Sequence, residues 1–335
     1  MPIMVEFAGP KQVRVITYER EPLPAGYVRV RTHYSGISAG TELTAYRGTN
    51  PYLTRVWDPD ARLFHDGEGG ITYPIAGWGY SEVGEIIEGP GTGDLVCGIW
   101  GHRSEAVVPD AVTRLPATVD PLSASFARVG AIAFNAILSA GIRLGETVAV
   151  FGQGVLGLLV TRLATLSGGS VVAVDTIAKR REAALRYGAA AALVPHNAAA
   201  EIRRRTAGRG ADVAIEISGA YAALHEAVRA VAPGARVVAS GFYQGDGVGL
   251  RLGEEFHHNR VQLVCSQIGG VPPELAPRWS PARLQEAFLA QVAAGAVDAR
   301  GLVSHLVPAT EAASAYELLD ERPEEALQVI LDFTT

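Results

Sequence analysis

Between residues 147 and 266, short apolar runs alternate with longer stretches whose apolar positions recur at helical spacing. The runs at 147–151, 171–175, 192–194, 212–217, 236–240 and 261–266 have the length and apolar content of buried parallel strands. Stretches 156–166, 178–187, 198–205 and 222–231 fall between the first five and read as helices. This alternation predicts an α/β fold on a doubly wound parallel sheet, with ligands where the strand order reverses. Residues 1–120 read differently. Short β-like runs at 12–17, 27–34, 83–88 and 106–108 are punctuated by Gly and Pro, as in a barrel-like all-β region. The stretch 47–73, with Gly67-x-Gly69-Gly70, has no clear period, and a loop that long is usually functional or mobile. After residue 269 come a helix at 281–293, a strand at 302–306, a helix through Leu318 and Leu319, and a closing strand at 327–333. The chain thus reads as blocks 1–120, 121–269 and 270–335.

The first buried run leads into Gly152-Gln153-Gly154-Val155-Leu156-Gly157, and a helix follows. In a Gly-x-Gly-x-x-Gly turn the first glycine allows the tight bend and the second lets a pyrophosphate approach the backbone. The third lets the helix pack on the strand. Free N–H groups at the helix start then hold the phosphate charge. Asp175 ends the next strand, about 20 residues on, where an acid takes the adenosine ribose hydroxyls. This context points to a bound dinucleotide. A carboxylate at 175 repels a 2′-phosphate, which favours NAD. Lys179, Arg180 and Arg181 keep NADP open, or simply form a solvated helix face.

Composition narrows the classes. A chain of 335 residues has room for two cores, and a net charge of −6 draws it to neither nucleic acid nor an anionic membrane. No apolar run reaches the roughly 20 residues needed to span a bilayer, and the N-terminal stretch lacks the pattern of a signal peptide. Cys97 and Cys265 are the only cysteines, which suits a reducing cytoplasm. The only lysines, Lys11 and Lys179, are not placed for Schiff-base or relay chemistry. No Tyr-x-x-x-Lys pair exists.

Several motifs together resemble the medium-chain dehydrogenase/reductase superfamily. They are Ser35-Gly36-Ile37-Ser38 with Glu42-Leu43-Thr44-Ala45-Tyr46-Arg47-Gly48, the glycine loop, Glu216-Ile217-Ser218-Gly219, and the tail from Glu324 to Phe333. The resemblance implies a GroES-like β-rich catalytic domain that the C-terminal segment rejoins, with the active site in the cleft beside a Rossmann domain. It implies that Arg180 flanks the ribose, and that Ser218, Gly219, Gly241 and Phe242 line the nicotinamide side, with Ser266 and Gln267 as similar cases. Ordinary strand-to-helix turn chemistry is the competing reading of these serines and glycines. A homodimer or homotetramer is likewise implied.

Zinc-containing members carry a cysteine at the position of Ser38, Gly-His-Glu at Gly79-Tyr80-Ser81, and often a third ligand near Ala131. The four-cysteine lobe is missing as well, so the chain reads as zinc-free. The phrase Ser35-Gly36-Ile37-Ser38-Ala39-Gly40-Thr41-Glu42, with 255–260 and 266–270, is similar to the bacteriochlorophyllide a dehydrogenase-like group. Without zinc, hydrogen-bond donors must polarise the substrate oxygen. Thr41 corresponds to the family's proton-relaying hydroxyl and Glu42 to its acid behind the ligands. Tyr80 stands at a ligand position, and His102 has an imidazole suited to proton exchange near neutrality. The competing readings are packing for Tyr80, an arginine partner for Glu42 and a surface place for His102. His257-His258 reads as part of a loop rather than as metal ligands.

The leading expectation is an NAD(H)- or NADP(H)-dependent oxidoreductase interconverting a secondary alcohol and a ketone. Cyclitol or sugar-like, polyketide and chlorin-like substrates are all open. The alternatives are a zinc-free enoyl or quinone reductase and a nicotinamide-nucleotide-binding sensor without turnover.

Overall fold

The computed structural model describes residues 1–67 and 70–335, so Gly69 of the glycine motif lies outside the described residues. The chain forms two compact units, residues 1–128 with 298–335, and residues 129–297. Among the described residues no helix is long and apolar enough to cross a membrane.

The second unit is built on six strands in the order Ala191–Leu193, Ser170–Val174, Thr147–Phe151, Ala211–Glu216, Val231–Ala239, Gln262–Cys265, each parallel to its neighbour. The order reverses between Thr147–Phe151 and Ala211–Glu216, where such sheets open a ligand crevice. Val148, Ala149 and Val150 are wholly buried, as expected of a central strand covered on both faces. All six expected strands occur within a few residues of the sequence reading. The fifth is longer because it starts directly after helix Tyr221–Ala230.

Two helices outside the alternating pattern also belong to this unit, Ala127–Ala140 almost entirely and Pro281–Ala293. A Cβ on Gly130 would lie 2.2 Å from the Phe288 ring, so that glycine lets the two helices close on each other. This contact carries the unit to residue 297, beyond the division at 269 drawn from the sequence.

In the first unit, Tyr27–Gly36 is the long central strand. It pairs with Glu82–Glu88 and Glu105–Pro109, and its end pairs antiparallel with the C-terminal strand Gln328–Asp332. Val28, Val30, Ile86 and Val96 form one core. A second core joins Ile3–Gly9, helix Glu42–Arg47 and helix Ala312–Glu321. There Tyr316 sits edge-on to Phe7 at 5.0 Å and stacks on Tyr46 at 5.7 Å. The stretch 47–73, read as one long loop, contains the hairpin Arg55–Asp58 with Leu63–Asp66. Trp57 and Phe64 face each other across it at 5.0 Å.

Candidate active site

Strand Tyr27–Gly36 delivers the chain to a tight turn at Ser38. The N–H groups of Thr41 and Glu42 donate to the Ser38 carbonyl at 3.1 and 2.8 Å, and the Ser38 N–H donates to Glu42 Oε1 at 2.8 Å. The loop is thereby locked against the first turn of helix Glu42–Arg47. Its Ser38 hydroxyl hydrogen-bonds the Tyr80 hydroxyl, and Thr41 bonds the same phenol. Burial raises the Tyr80 pKa, with the Ser38 and Thr41 bonds opposing, so the phenol stays protonated and available as a donor. The half-buried Arg128 guanidinium also acts on this phenol and favours its ionised form.

Behind this pair lies a buried polar network. Glu42 Oε2 accepts from Tyr316 at 2.6 Å and from His102 Nε2 at 2.7 Å. On the other side of the imidazole, Nδ1 lies 2.6 Å from Ser35 Oγ, which donates to Glu82 Oε1 at 3.1 Å. Glu82 Oε2 accepts the Trp100 N–H at 2.8 Å. Ser35, Glu42 and His102 have no exposed surface, and Glu82 has 1%.

The structure therefore brings Thr41 and Tyr80 together at one spot and pairs Glu42 with His102 directly behind it. The surface reading of His102 is corrected, since the ring is wholly enclosed between two carboxylates. The arginine partner considered for Glu42 is replaced by Ser38, His102 and Tyr316. Sequence reasoning had not assigned Ser35, Glu82, Arg128 or Tyr316 to the site.

In the second unit Gly152 turns with φ +92°, and a Cβ on Gly157 would fall 1.9 Å from the Gly152 carbonyl oxygen. Helix Val155–Leu166 starts from Gly154 with no side-chain cap, which leaves first-turn N–H groups, those of Val155 and Leu156 among them, for a ligand. A Cβ on Gly154 would meet nothing closer than Arg180 Nη1 at 3.9 Å. Arg180 thus stands over the glycine turn.

Gln153 points inward. Its side chain donates to the Val150 carbonyl and accepts from Thr161, and its N–H goes to Asp175 Oδ2 at 2.6 Å. Asp175 Oδ1 takes the Ile177 N–H at 2.8 Å. A cavity of about 550 Å³ opens beside this carboxylate, lined by Gly152, Thr176, His196, Asn197 and Ser218 among others.

Glu216 ends its strand wholly buried and ties the next loops together. It accepts from the Ser218 N–H at 2.7 Å and the Gly219 N–H at 3.2 Å, and from the hydroxyls of Ser218 and Tyr243. Burial raises its pKa, against these donors. A Cβ on Gly241 would lie 2.3 Å from the Gly219 N, so the two turns touch backbone to backbone. Phe242 is 40% exposed. Ser266 is buried and bonded to Ser240 at 2.6 Å, while the exposed Gln267 folds back onto the Gly269 N–H.

A family model described as zinc-binding dehydrogenase matches residues 155–280. The D-guloside 3-dehydrogenase of Escherichia coli is 29% identical over 97% of this chain and 98% of its own. The 2-desacetyl-2-hydroxyethyl bacteriochlorophyllide A dehydrogenase of Rhodobacter capsulatus is 30% identical over 98% of both chains. The crystal structure of 2R,3R-butanediol dehydrogenase from Bacillus subtilis superposes with a TM-score of 0.80 at 20% identity, over 99% of each chain. The fold is therefore that of the GroES-like and Rossmann alcohol dehydrogenases. With the glycine loop, the reversing sheet and full-length likeness in place, the chain belongs to the medium-chain, zinc-binding-type dehydrogenase superfamily and is an oxidoreductase.

Proposed function

We propose that this oxidoreductase interconverts a secondary alcohol and a ketone on a sugar-like or cyclitol substrate, using NAD(H) and no zinc. The observation that carries the reading is the Ser38–Tyr80 hydroxyl pair, with a phenol kept protonated by burial. The likeness to a D-guloside 3-dehydrogenase supports the substrate class.

Zinc does not fit these residues. The positions that hold a thiolate and an imidazole in zinc members carry Ser38 and Tyr80, bonded to each other. The nearby Glu42 and Glu82 carboxylates are taken up by donors on both oxygens. The one His and carboxylate cluster with metal-like spacing among the described residues, His225 with Glu254 and Glu255, belongs to the other unit. His257 and His258 stand edge to face at 5.5 Å and are not part of it. Purified protein is expected to hold well under one zinc per chain and to keep its turnover after chelation. Stoichiometric zinc whose removal stops turnover would overturn the reading.

A dinucleotide does fit. The open face of Gly154, the uncapped helix start and Arg180 suit a diphosphate, and the cavity beside Asp175 suits an adenosine. The bound nicotinamide supplies or accepts the hydride. Tyr80 holds the substrate oxygen and gives it a proton as the ketone is reduced, and Ser38 or Thr41 relays a replacement proton drawn from solvent water. Arg128 lowers the cost of negative charge at this oxygen. In the oxidative direction each proton moves the other way.

Asp175 sets the cofactor preference through like-charge repulsion of a 2′-phosphate. Asp175→Asn keeps the size and removes the charge. Fluorescence titration is expected to show the NADPH-to-NADH ratio of dissociation constants falling by about tenfold or more. An unchanged ratio would remove Asp175 from the selection.

A further inference from the structure

We propose that His102, gripped by Glu42 on one side and by Glu82 through Ser35 on the other, is a charged tie that fixes the spacing of the two loops carrying Ser38 and Tyr80, and so acts as a positioning residue for the reaction. The proposal deepens the dehydrogenase reading and rests on it for its kinetic part.

The two loops come from different parts of the chain. Residues 36–42 leave the strand Tyr27–Gly36, and residues 77–81 enter the strand Glu82–Glu88. One buried carboxylate stands behind each. Glu42 takes the Ser38 N–H at 2.8 Å and so sets where the Ser38 hydroxyl emerges. Glu82 takes the Trp100 N–H at 2.8 Å and lies against the bend before Tyr80. A Cβ on Gly79, where φ is +148°, would come within 2.9 Å of Glu82 Oε1 and of His102 Cε1. Only glycine lets the Tyr80 loop rest directly on the imidazole and the carboxylate. The ring then links the two supports, Nε2 to Glu42 at 2.7 Å and Nδ1 to Ser35 at 2.6 Å.

Counting protons leaves two arrangements, a charged imidazole beside an ionised Glu82 or a neutral imidazole beside a protonated Glu82, and the charged tie is the first of them. Glu42 receives three donors, Ser38 N–H, Tyr316 O–H and His102 Nε2–H, which is the pattern of an ionised carboxylate. Ser35 donates its one hydroxyl proton to Glu82, so its oxygen must accept from His102, and Nδ1 then carries a proton too. With both carboxylates ionised, every donor and acceptor in the chain Tyr316, Glu42, His102, Ser35, Glu82, Trp100 is matched only when the imidazole is doubly protonated. The groups facing the ring are Glu42, Glu82, Ser35 and Tyr316. Both carboxylates raise the His102 pKa against the opposing effect of burial, in keeping with that count. A neutral imidazole needs the proton on Glu82 instead, which burial favours by raising that carboxyl's pKa while a charged His102, the Trp100 N–H and Ser35 oppose it, and the nitrogen signature below separates the two.

A buried charged pair of this kind is weak evidence for stability but can hold a unique geometry. Here the geometry it holds is the mutual approach of two hydroxyls on separate loops. A displacement of about 1 Å at a reacting centre can cost up to about 100-fold in rate.

The test uses full-length protein with 15N in its eight histidines. One imidazole is expected to keep the doubly protonated signature from pH 6 to about pH 8.5, well past the ordinary histidine range. Its signal should vanish in His102→Gln and move toward the neutral form in Glu82→Gln. Ser35→Ala, which cuts the tie at its smallest link, is expected to lower kcat about tenfold with less change in KM, and to leave the NADH dissociation constant within about twofold. A His102 ring that is neutral at pH 7 in the unaltered protein overturns the proposal, as does a Ser35→Ala enzyme with unchanged kcat. Absence of turnover on every alcohol and ketone tried would instead defeat the dehydrogenase reading, and the nitrogen signature would still decide the charged tie.

Discussion

Replacing Tyr80 with phenylalanine is expected to lower kcat/KM by about 10²- to 10³-fold while NADH binds as before. This is the range seen when one preorganised donor to a developing oxyanion is removed. The change deletes only the hydroxyl that Ser38 and Thr41 hold in place. The ring, half-buried in the loop before strand Glu82–Glu88, keeps its packing. Ser38→Ala leaves the phenol without its hydroxyl partner and should cost less, about tenfold, because Thr41 still bonds it.

The pH dependence follows from the direction of the shift. A phenol whose pKa is raised stays protonated as pH rises, so ketone reduction should not lose its donor until beyond about pH 10, the ordinary tyrosine value. Steady-state kinetics with a cyclic polyol or glycoside and its ketone would check this. Unchanged kcat/KM in Tyr80→Phe, Thr41→Val and His102→Ala alike would remove the assignment.

Features dictated by local sequence were legible, and features dictated by long-range contact were not. The strands of the six-stranded sheet announce themselves as apolar runs because both faces are buried. The glycine loop announces itself because close backbone approach admits one residue type. Helix Ala127–Ala140 was missed because its inward face is not uniformly apolar. Asn135 and Ser139 are buried there, and Asn135 donates to the carbonyls of Ser266 and Gly270.

The network behind Tyr80 was hidden for a related reason. His102 meets Glu42 across 60 positions, Ser35 meets Glu82 across 47, and Tyr316 meets Glu42 across 274. No periodicity records such meetings. The available signal was a set of polar residues at positions where a strand or helix turns toward the core, such as Ser35 near the end of Tyr27–Gly36. Thr41, Glu42, Tyr80 and His102 were singled out one at a time, from resemblance and side-chain chemistry. That they converge is a property of the fold.

The glycine loop offers the second large effect, and two substitutions there should separate packing from binding. Alanine at 157 places a methyl 1.9 Å from the Gly152 oxygen and 2.7 Å from its carbonyl carbon, both backbone atoms that cannot rotate aside. Gly152 cannot yield freely either, because it holds φ +92° and lies against Ser218, 2.9 Å from where its own Cβ would be. The turn must open. Gly157→Ala should therefore lose about 1–3 kcal/mol of stability, as overpacked sites do, and at least about 100-fold in NADH affinity. Gly154→Ala is different. It has an ordinary φ of −69° and no neighbour within 3.9 Å, so its thermal midpoint should match that of the unaltered protein. The methyl would nonetheless occupy the space through which a diphosphate reaches the helix start, and NADH affinity should fall by about tenfold or more. Thermal melts and fluorescence titrations on both variants give the answer. A Gly154→Ala protein that binds NADH as tightly as the original would mean that no diphosphate rests on this turn.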